Sequence, residues 1–221
     1  MTYPVKAVLF DMDGLLVDSE PLWTIGEIEL AEHLGGSWSD ELKTAIIGTR
    51  LDTAIRTILE WYDVPRDSGD VDAAMTFLLN RMVELYHDQL PVMPGALELI
   101  DAVRDAGVAT ALVSSSYRVL VEAVLDGVGR DRFHVTLAGD EVTHGKPDPE
   151  PYLTACERLG VLPPQAVVLE DAMSGVKSAE AAGCKVIAVP WLAPIDPAPG
   201  RLVVGSLKEI DLPWLLSLSA H

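Results

Sequence analysis

The sequence predicts an α/β protein: a parallel sheet with helices on both faces, interrupted once by an all-helical insertion. Three observations carry this expectation. Short, almost continuously apolar runs recur and end in acidic, hydroxyl or Pro residues. Helical patterns alternate with those runs, as strands buried on both faces require. The alternation breaks between residues 15 and 91, where the periodicity is helical throughout.

Taken in order, Val5 to Phe10 (V-K-A-V-L-F) reads as a buried strand that runs into Asp11-Met12-Asp13-Gly14. The insertion follows, with helical patterns at Glu20–Leu34, Asp40–Ile47, Leu51–Trp61 and Val71–Gln89. Pro91 and Pro94-Gly95 mark the return to the α/β body. A helix is expected at Ala96–Asp105, then a strand at Val108–Val113 ending in Ser114-Ser115-Ser116, then a helix at Arg118–Leu125. Pro149–Leu159 reads as a helix, Ala166–Leu169 as a strand ending in Glu170-Asp171, Ser174–Ala182 as a helix, and Val186–Val189 as a strand. Gly107, Gly160 and Gly183 follow three of these helices, where a left-handed residue closes the last turn. The expected domains are therefore residues 1–14 with 92–221, and the helical insertion 15–91.

The chain has 221 residues, with 34 acidic and 16 basic side chains and a formal charge of −18. Fifteen of the acids and five of the bases lie in 15–91. Such a balance argues against nucleic acid, which is held by clustered Lys and Arg, and against anionic membrane surfaces. No apolar run approaches the ~20 residues of a membrane span. The N-terminal stretch Met1 to Phe10 is too short, and the chain after Lys6 too charged, for a signal peptide, so the expectation is a cytoplasmic protein, a monomer by default. Cys156 and Cys184 sit among apolar residues and read as buried thiols. The five His are scattered without zinc-ligand spacing, and Trp38, Trp61, Trp191 and Trp214 read as packing residues.

Chemistry concentrates at the strand ends, where open α/β sheets bind ligands. Asp11 and Asp13, at i and i+2, can serve as nucleophile and general acid/base, and their mutual repulsion suits a Mg²⁺ ion; alone, they are equally a polar turn. Glu170 and Asp171 are costly after an apolar strand unless a metal or solvent satisfies them, although Asp171 is also placed to cap the next helix. The Ser114 hydroxyl with the backbone N–H groups of Ser115 and Ser116 would make an anion cradle, or a plain loop. Lys146, in Gly145-Lys146-Pro147-Asp148-Pro149, would offset the carboxylates and bind a phosphoryl oxygen, or be a solvated loop lysine.

Together, in this order, D-M-D-G-L-L-V-D-S-E (11–20), L-V-S-S-S (112–116), G-K-P-D-P-E-P-Y (145–152) and V-V-L-E-D-A-M-S-G-V (167–176) resemble the haloacid dehalogenase superfamily, in its phosphatase and phosphotransferase branch. The likeness spans nearly the whole chain and is greatest to the β-phosphoglucomutase-like subfamily and its hexose-phosphate phosphatases. It implies a Rossmann-like core with a helical cap whose closure excludes bulk water. It also implies that Asp11 attacks phosphorus to give an aspartyl-phosphate, and that Asp13 protonates the leaving alcohol and then activates water. Mg²⁺ would be held by Asp11, the backbone carbonyl of Asp13 and Asp171, with Glu170 in support. Ser114 and Lys146 would hold phosphoryl oxygens. The acid at Asp13 separates this branch from the dehalogenases.

In the insertion, Gly48-Thr49-Arg50 matches a substrate-contacting loop of the subfamily, although Arg50 is also placed to pair with Asp52. Trp23 stands where β-phosphoglucomutases carry a His, which favours hydrolysis over mutase chemistry. The expected function is a Mg²⁺-dependent phosphatase of small phosphorylated metabolites, sugar phosphates foremost. A hexose-phosphate mutase and a non-catalytic phospho-ligand binding protein are the alternatives.

Overall fold

The structure is a computed structural model and describes residues 4–47 and 49–218, with Ser68 as backbone only. Two compact units emerge. One runs up to Ser19 and resumes at Leu90; the other is Glu20–Gln89.

The first unit carries the sheet. Among the described residues it has six parallel strands: β1 (Ala7–Phe10), β2 (Ala109–Val113), β3 (Val135–Leu137), β4 (Ala166–Glu170), β5 (Lys185–Ala188) and β6 (Arg201–Val203). Their order is β3-β2-β1-β4-β5-β6. From the central β1 the chain builds outward first on one side and then on the other, so the crevice between β1 and β4 is the point where strand order reverses. The sequence pattern predicts four strands. The two it lacks, β3 and β6, are three-residue edge strands, too short to show a period.

With the helices of the second unit numbered first, those of the sheet-bearing unit are α5 (Ala96–Asp105), α6 (Arg118–Val128), α7 (Glu150–Leu159), α8 (Met173–Ala182) and a short α9 (Leu212–Ser217). Residues of α7 and α8, including Tyr152, Ala155, Val176 and Ala179, pack on Leu9, Ala111, Val113 and Val168, alternate positions of the central strands. The intervening strand residues Val8, Phe10 and Leu112 are equally buried, on the opposite face, where Phe10 meets Phe133 edge-on at 6.4 Å. Cys156 and Cys184 lie in the first of these layers as buried thiols, 4.0 Å apart at sulfur.

The second unit holds α1 (Glu20–His33), α2 (Asp40–Ile46), α3 (Leu51–Trp61) and α4 (Ser68–Asp88). Ser39 caps α2 and Asp67 caps α4, each accepting from an amide of the first turn. Leu30, Leu42, Ile55, Ile58, Leu78 and Met82 form its interior. Residues 15–19 run with the sheet-bearing unit, not with these helices. The backbone explains this: Met93 N–H donates to Leu16 O (2.9 Å) and Asp18 N–H to Pro91 O (2.8 Å). No helix among the described residues is long and apolar enough to cross a membrane.

Candidate active site

The carboxyl ends of β1, β2 and β4 bring together the residues that the motifs singled out in the sheet-bearing unit. Asp11 follows β1 directly and its N–H donates to Leu169 O of β4 (3.1 Å), so its position is set by the ladder itself. Glu170 is the last residue of β4 and Asp171 the next. Helix α8 starts at Met173 with Ala172 as its N-cap, so the Asp171 side chain does not cap it. That carboxylate lies instead against Gly14, where φ is +82° and a Cβ would overlap it. Glycine is needed there on both counts. On α8, a side chain at Gly175 would collide with the Glu170 carboxylate. Small residues thus open the room in which the acids sit.

Lys146 reaches this point from the loop before α7. Its ammonium donates to Asp11 Oδ1 (2.6 Å), Glu170 Oε1 (2.6 Å) and the backbone carbonyl of Val113 at the end of β2 (2.9 Å). It is therefore a buried, fully engaged cation and not a solvated loop lysine. The loop is held by the Glu150 carboxylate, which accepts from Thr143 N–H (2.7 Å) and His144 N–H (2.8 Å), and by the Ser178 hydroxyl, which donates to Asp148 O (2.5 Å).

Asp13 is gripped by three hydroxyls. Ser19 donates to Oδ1 (2.6 Å), while Ser116 (2.7 Å) and Ser114 (3.3 Å) donate to Oδ2. The Ser116 N–H turns back onto Ser114 Oγ (2.9 Å), and α6 begins only at Arg118. Of the proposed anion cradle, this amide is thus engaged within the loop, and Ser115 is exposed. Ser19 falls within the first motif, but nothing in the sequence assigns it this contact to the acid six residues before it.

The electrostatics are lopsided. Burial, followed by Glu170, pushes the Asp11 carboxyl well above its usual range against the pull of Lys146. Burial and Glu170 likewise push Asp171 up to about 7. Burial disfavours the Lys146 charge, but Asp11 and Glu170 outweigh it and keep the ammonium protonated. Desolvation and a neighbouring like charge each disfavour the charged form of a carboxyl, and here together they outweigh Lys146. Ligand oxygens of Asp11, Glu170 and Asp171 all lie within 4.8 Å of one another, so the cluster can hold a metal ion, and its all-oxygen donor set suits a hard divalent cation.

The other candidates lie in the helical unit. Trp23 is half-buried on α1. Thr49 donates through Oγ1 to Ile46 O (2.7 Å), and the exposed Arg50 is 3.6 Å from Asp52, the ion pair the sequence allowed. Gly48 lies outside the described residues.

A doubly flanked parallel sheet with a cluster of acids at its strand-order reversal defines a class: the chain belongs to the haloacid dehalogenase-like hydrolases, whose family model matches residues 5–183. It is 32% identical over 212 residues to hexitol phosphatase B of Escherichia coli (strain K12), covering 94% of this chain and 93% of that protein. It is 33% identical over 184 residues to the phosphorylated carbohydrates phosphatase of Thermotoga maritima, covering 83% and 84%. Among solved structures, CbbY from Rhodobacter sphaeroides in complex with phosphate superposes with a TM-score of 0.82 at 28% identity, over 93% of this chain and 96% of that one.

Proposed function

We propose that this enzyme hydrolyses small phosphomonoesters, sugar phosphates foremost, through a phosphorylated Asp11. The observation that carries the reading is the buried Asp11, Glu170, Asp171 and Lys146 cluster, with Asp13 two residues beyond the nucleophile. Two relatives named as phosphatases of hexitols and of phosphorylated carbohydrates support the substrate class.

Asp11 attacks phosphorus, and the bond from phosphorus to the alcohol oxygen breaks as Asp13 gives that oxygen a proton. Water then surrenders a proton to Asp13 and attacks phosphorus, the bond to Asp11 breaks, and inorganic phosphate leaves. Asp13 acts as acid in the first half and base in the second, so one residue serves both steps. The Ser19, Ser114 and Ser116 hydroxyls hold the Asp13 carboxyl in place for both roles. Lys146 and Ser114 hold the phosphoryl oxygens, with the serine loop at 115–116 alongside. Asp11, Asp171 and the Asp13 carbonyl would hold Mg²⁺, with Glu170 in support. When bound, the ion offsets the surplus negative charge and the charge spread over the transferring group.

In the helical unit, Trp23 and the Gly48-Thr49-Arg50 loop are proposed to select the sugar. The test is phosphate release over a panel of hexose, hexitol and pentose phosphates. The reading expects release with Mg²⁺, loss on adding EDTA and recovery with excess Mg²⁺. Release from no member of the panel, or conversion of a sugar 1-phosphate to the 6-phosphate without free phosphate, would overturn it.

A further inference from the structure

Tyr152 has no exposed surface and plays no part in the chemistry above. Its place in α7, among Ala155, Cys156 and Val113, is that of a core residue, yet its hydroxyl has a charged partner. It donates to Glu170 Oε1 (2.5 Å), the same oxygen that accepts from the Lys146 ammonium (2.6 Å). The ammonium also stands over the tyrosine ring, 5.1 Å from its centre, within range of an attractive cation–π contact.

A lysine ammonium has three protons. Lys146 has committed them to Asp11 Oδ1, Val113 O and Glu170 Oε1. To hold a phosphoryl oxygen it must release one partner. The Val113 carbonyl is fixed in the backbone beside β1, and Asp11 is the group that must stay near phosphorus. Glu170 is the partner with a second donor. If it lost the lysine and had no other, a buried carboxylate would be stranded, at the full desolvation cost.

We propose that Tyr152 is a positioning residue that frees Lys146 for the phosphoryl group. Its hydroxyl holds Glu170 Oε1 while the ammonium turns one proton from Glu170 to a phosphoryl oxygen, and its ring keeps the ammonium centred over the site. The inference rests on the phosphatase reading and adds the device by which a saturated lysine becomes available to substrate.

The test is the affinity for inorganic phosphate, measured as competitive inhibition in the presence of Mg²⁺, in a double-mutant cycle. Tyr152→Phe keeps the ring and should weaken phosphate binding about tenfold, with KM rising in parallel, the loss typical of one hydrogen bond to a charged group. With Glu170→Gln as background, the tether is no longer needed, and the same change should cost less than about twofold. An equal loss in both backgrounds would mean that the hydroxyl serves packing alone, and no loss in either would mean that it serves nothing at this site; both overturn the inference. Should Tyr152→Phe not fold, ¹³Cζ-tyrosine NMR of the wild-type protein decides instead. The Tyr152 resonance should move on adding phosphate, and an unmoved resonance overturns the proposal. Wild-type protein that neither binds phosphate nor releases it from phosphomonoesters would overturn the phosphatase reading, and this inference with it. Turnover in the wild type with no effect of Tyr152→Phe sinks the inference alone.

Discussion

Each unit of the molecule contains a lysine clamped between two carboxylates. In the sheet-bearing unit Lys146 lies between Asp11 and Glu170; in the helical unit Lys43 lies 2.6 Å from Glu20 and 3.0 Å from Glu27. Only 4% of the Lys146 side chain is exposed against 20% for Lys43, and Glu20 is 29% exposed. Both lysines are held protonated, their acids outweighing the effect of burial, and burial raises Glu27 much as it raises Asp11. The difference lies in what surrounds the clamp. Glu20 and Glu27 are two turns apart on α1, and Lys43 of α2 ties that helix face down at the edge of water. Around Lys146 stand two further acids, the half-buried Asp13 and the buried Asp171, and burial leaves the Asp171 charge without a solvent outlet. A lysine between two acids is thus a helix tie in one unit. In the other it is part of a site with charge to spare for a cation and a phosphoryl group.

Four changes should widen or close this contrast, beginning with the largest. Asp11→Asn should lower turnover by at least about 10³-fold, as removal of a nucleophile does, while the fold survives because a neutral amide relieves the buried charge. Steady-state phosphate release and the melting temperature check both halves. Lys146→Met should lower kcat/KM by about 10²–10³-fold, the scale of one lost transition-state donor. Lys43→Met, by contrast, should leave kcat within about twofold and cost about 1–2 kcal/mol in urea unfolding, since the two ion pairs it breaks are part-exposed.

The pH dependence should be smaller but diagnostic. The folded protein raises the Asp171 carboxyl to about 7, so it binds that proton more tightly than the unfolded chain does. The stability this contributes is complete below the unfolded value near 4 and is lost as pH rises through about 7. Metal-free protein should therefore melt about 5 °C lower at pH 8 than at pH 5.5. Mg²⁺ should raise the melting temperature more at pH 8. An equal Mg²⁺ effect at both values would place the ion elsewhere.

Most of this architecture was legible because strand ends carry their chemistry in sequence. Asp11 after V-L-F, Ser114 after A-L-V and Glu170-Asp171 after V-V-L are each adjacent to the apolar run that positions them. Lys146 was legible through its stiff Pro-flanked loop, although the Val113 and Glu170 contacts that bury it join residues far apart in the chain. Other features had no local signature. The edge strands β3 and β6 are too short for periodicity, and Tyr152 looks like any aromatic on a buried helix face. The Ser19 contact to Asp13 depends on how residues 15–19 fold back along Pro91 and Met93. Gly175 shows its role only once the Glu170 carboxylate is seen where a Cβ would be.

The central claim is that Asp11 becomes phosphorylated during turnover. Borohydride added during steady-state hydrolysis of a sugar phosphate with Mg²⁺ reduces an acyl-phosphate to the alcohol, so peptide mass spectrometry should find homoserine in place of Asp11. Rapid phosphate release with Asp11 unreduced, or reduction at a different carboxylate, would contradict the account.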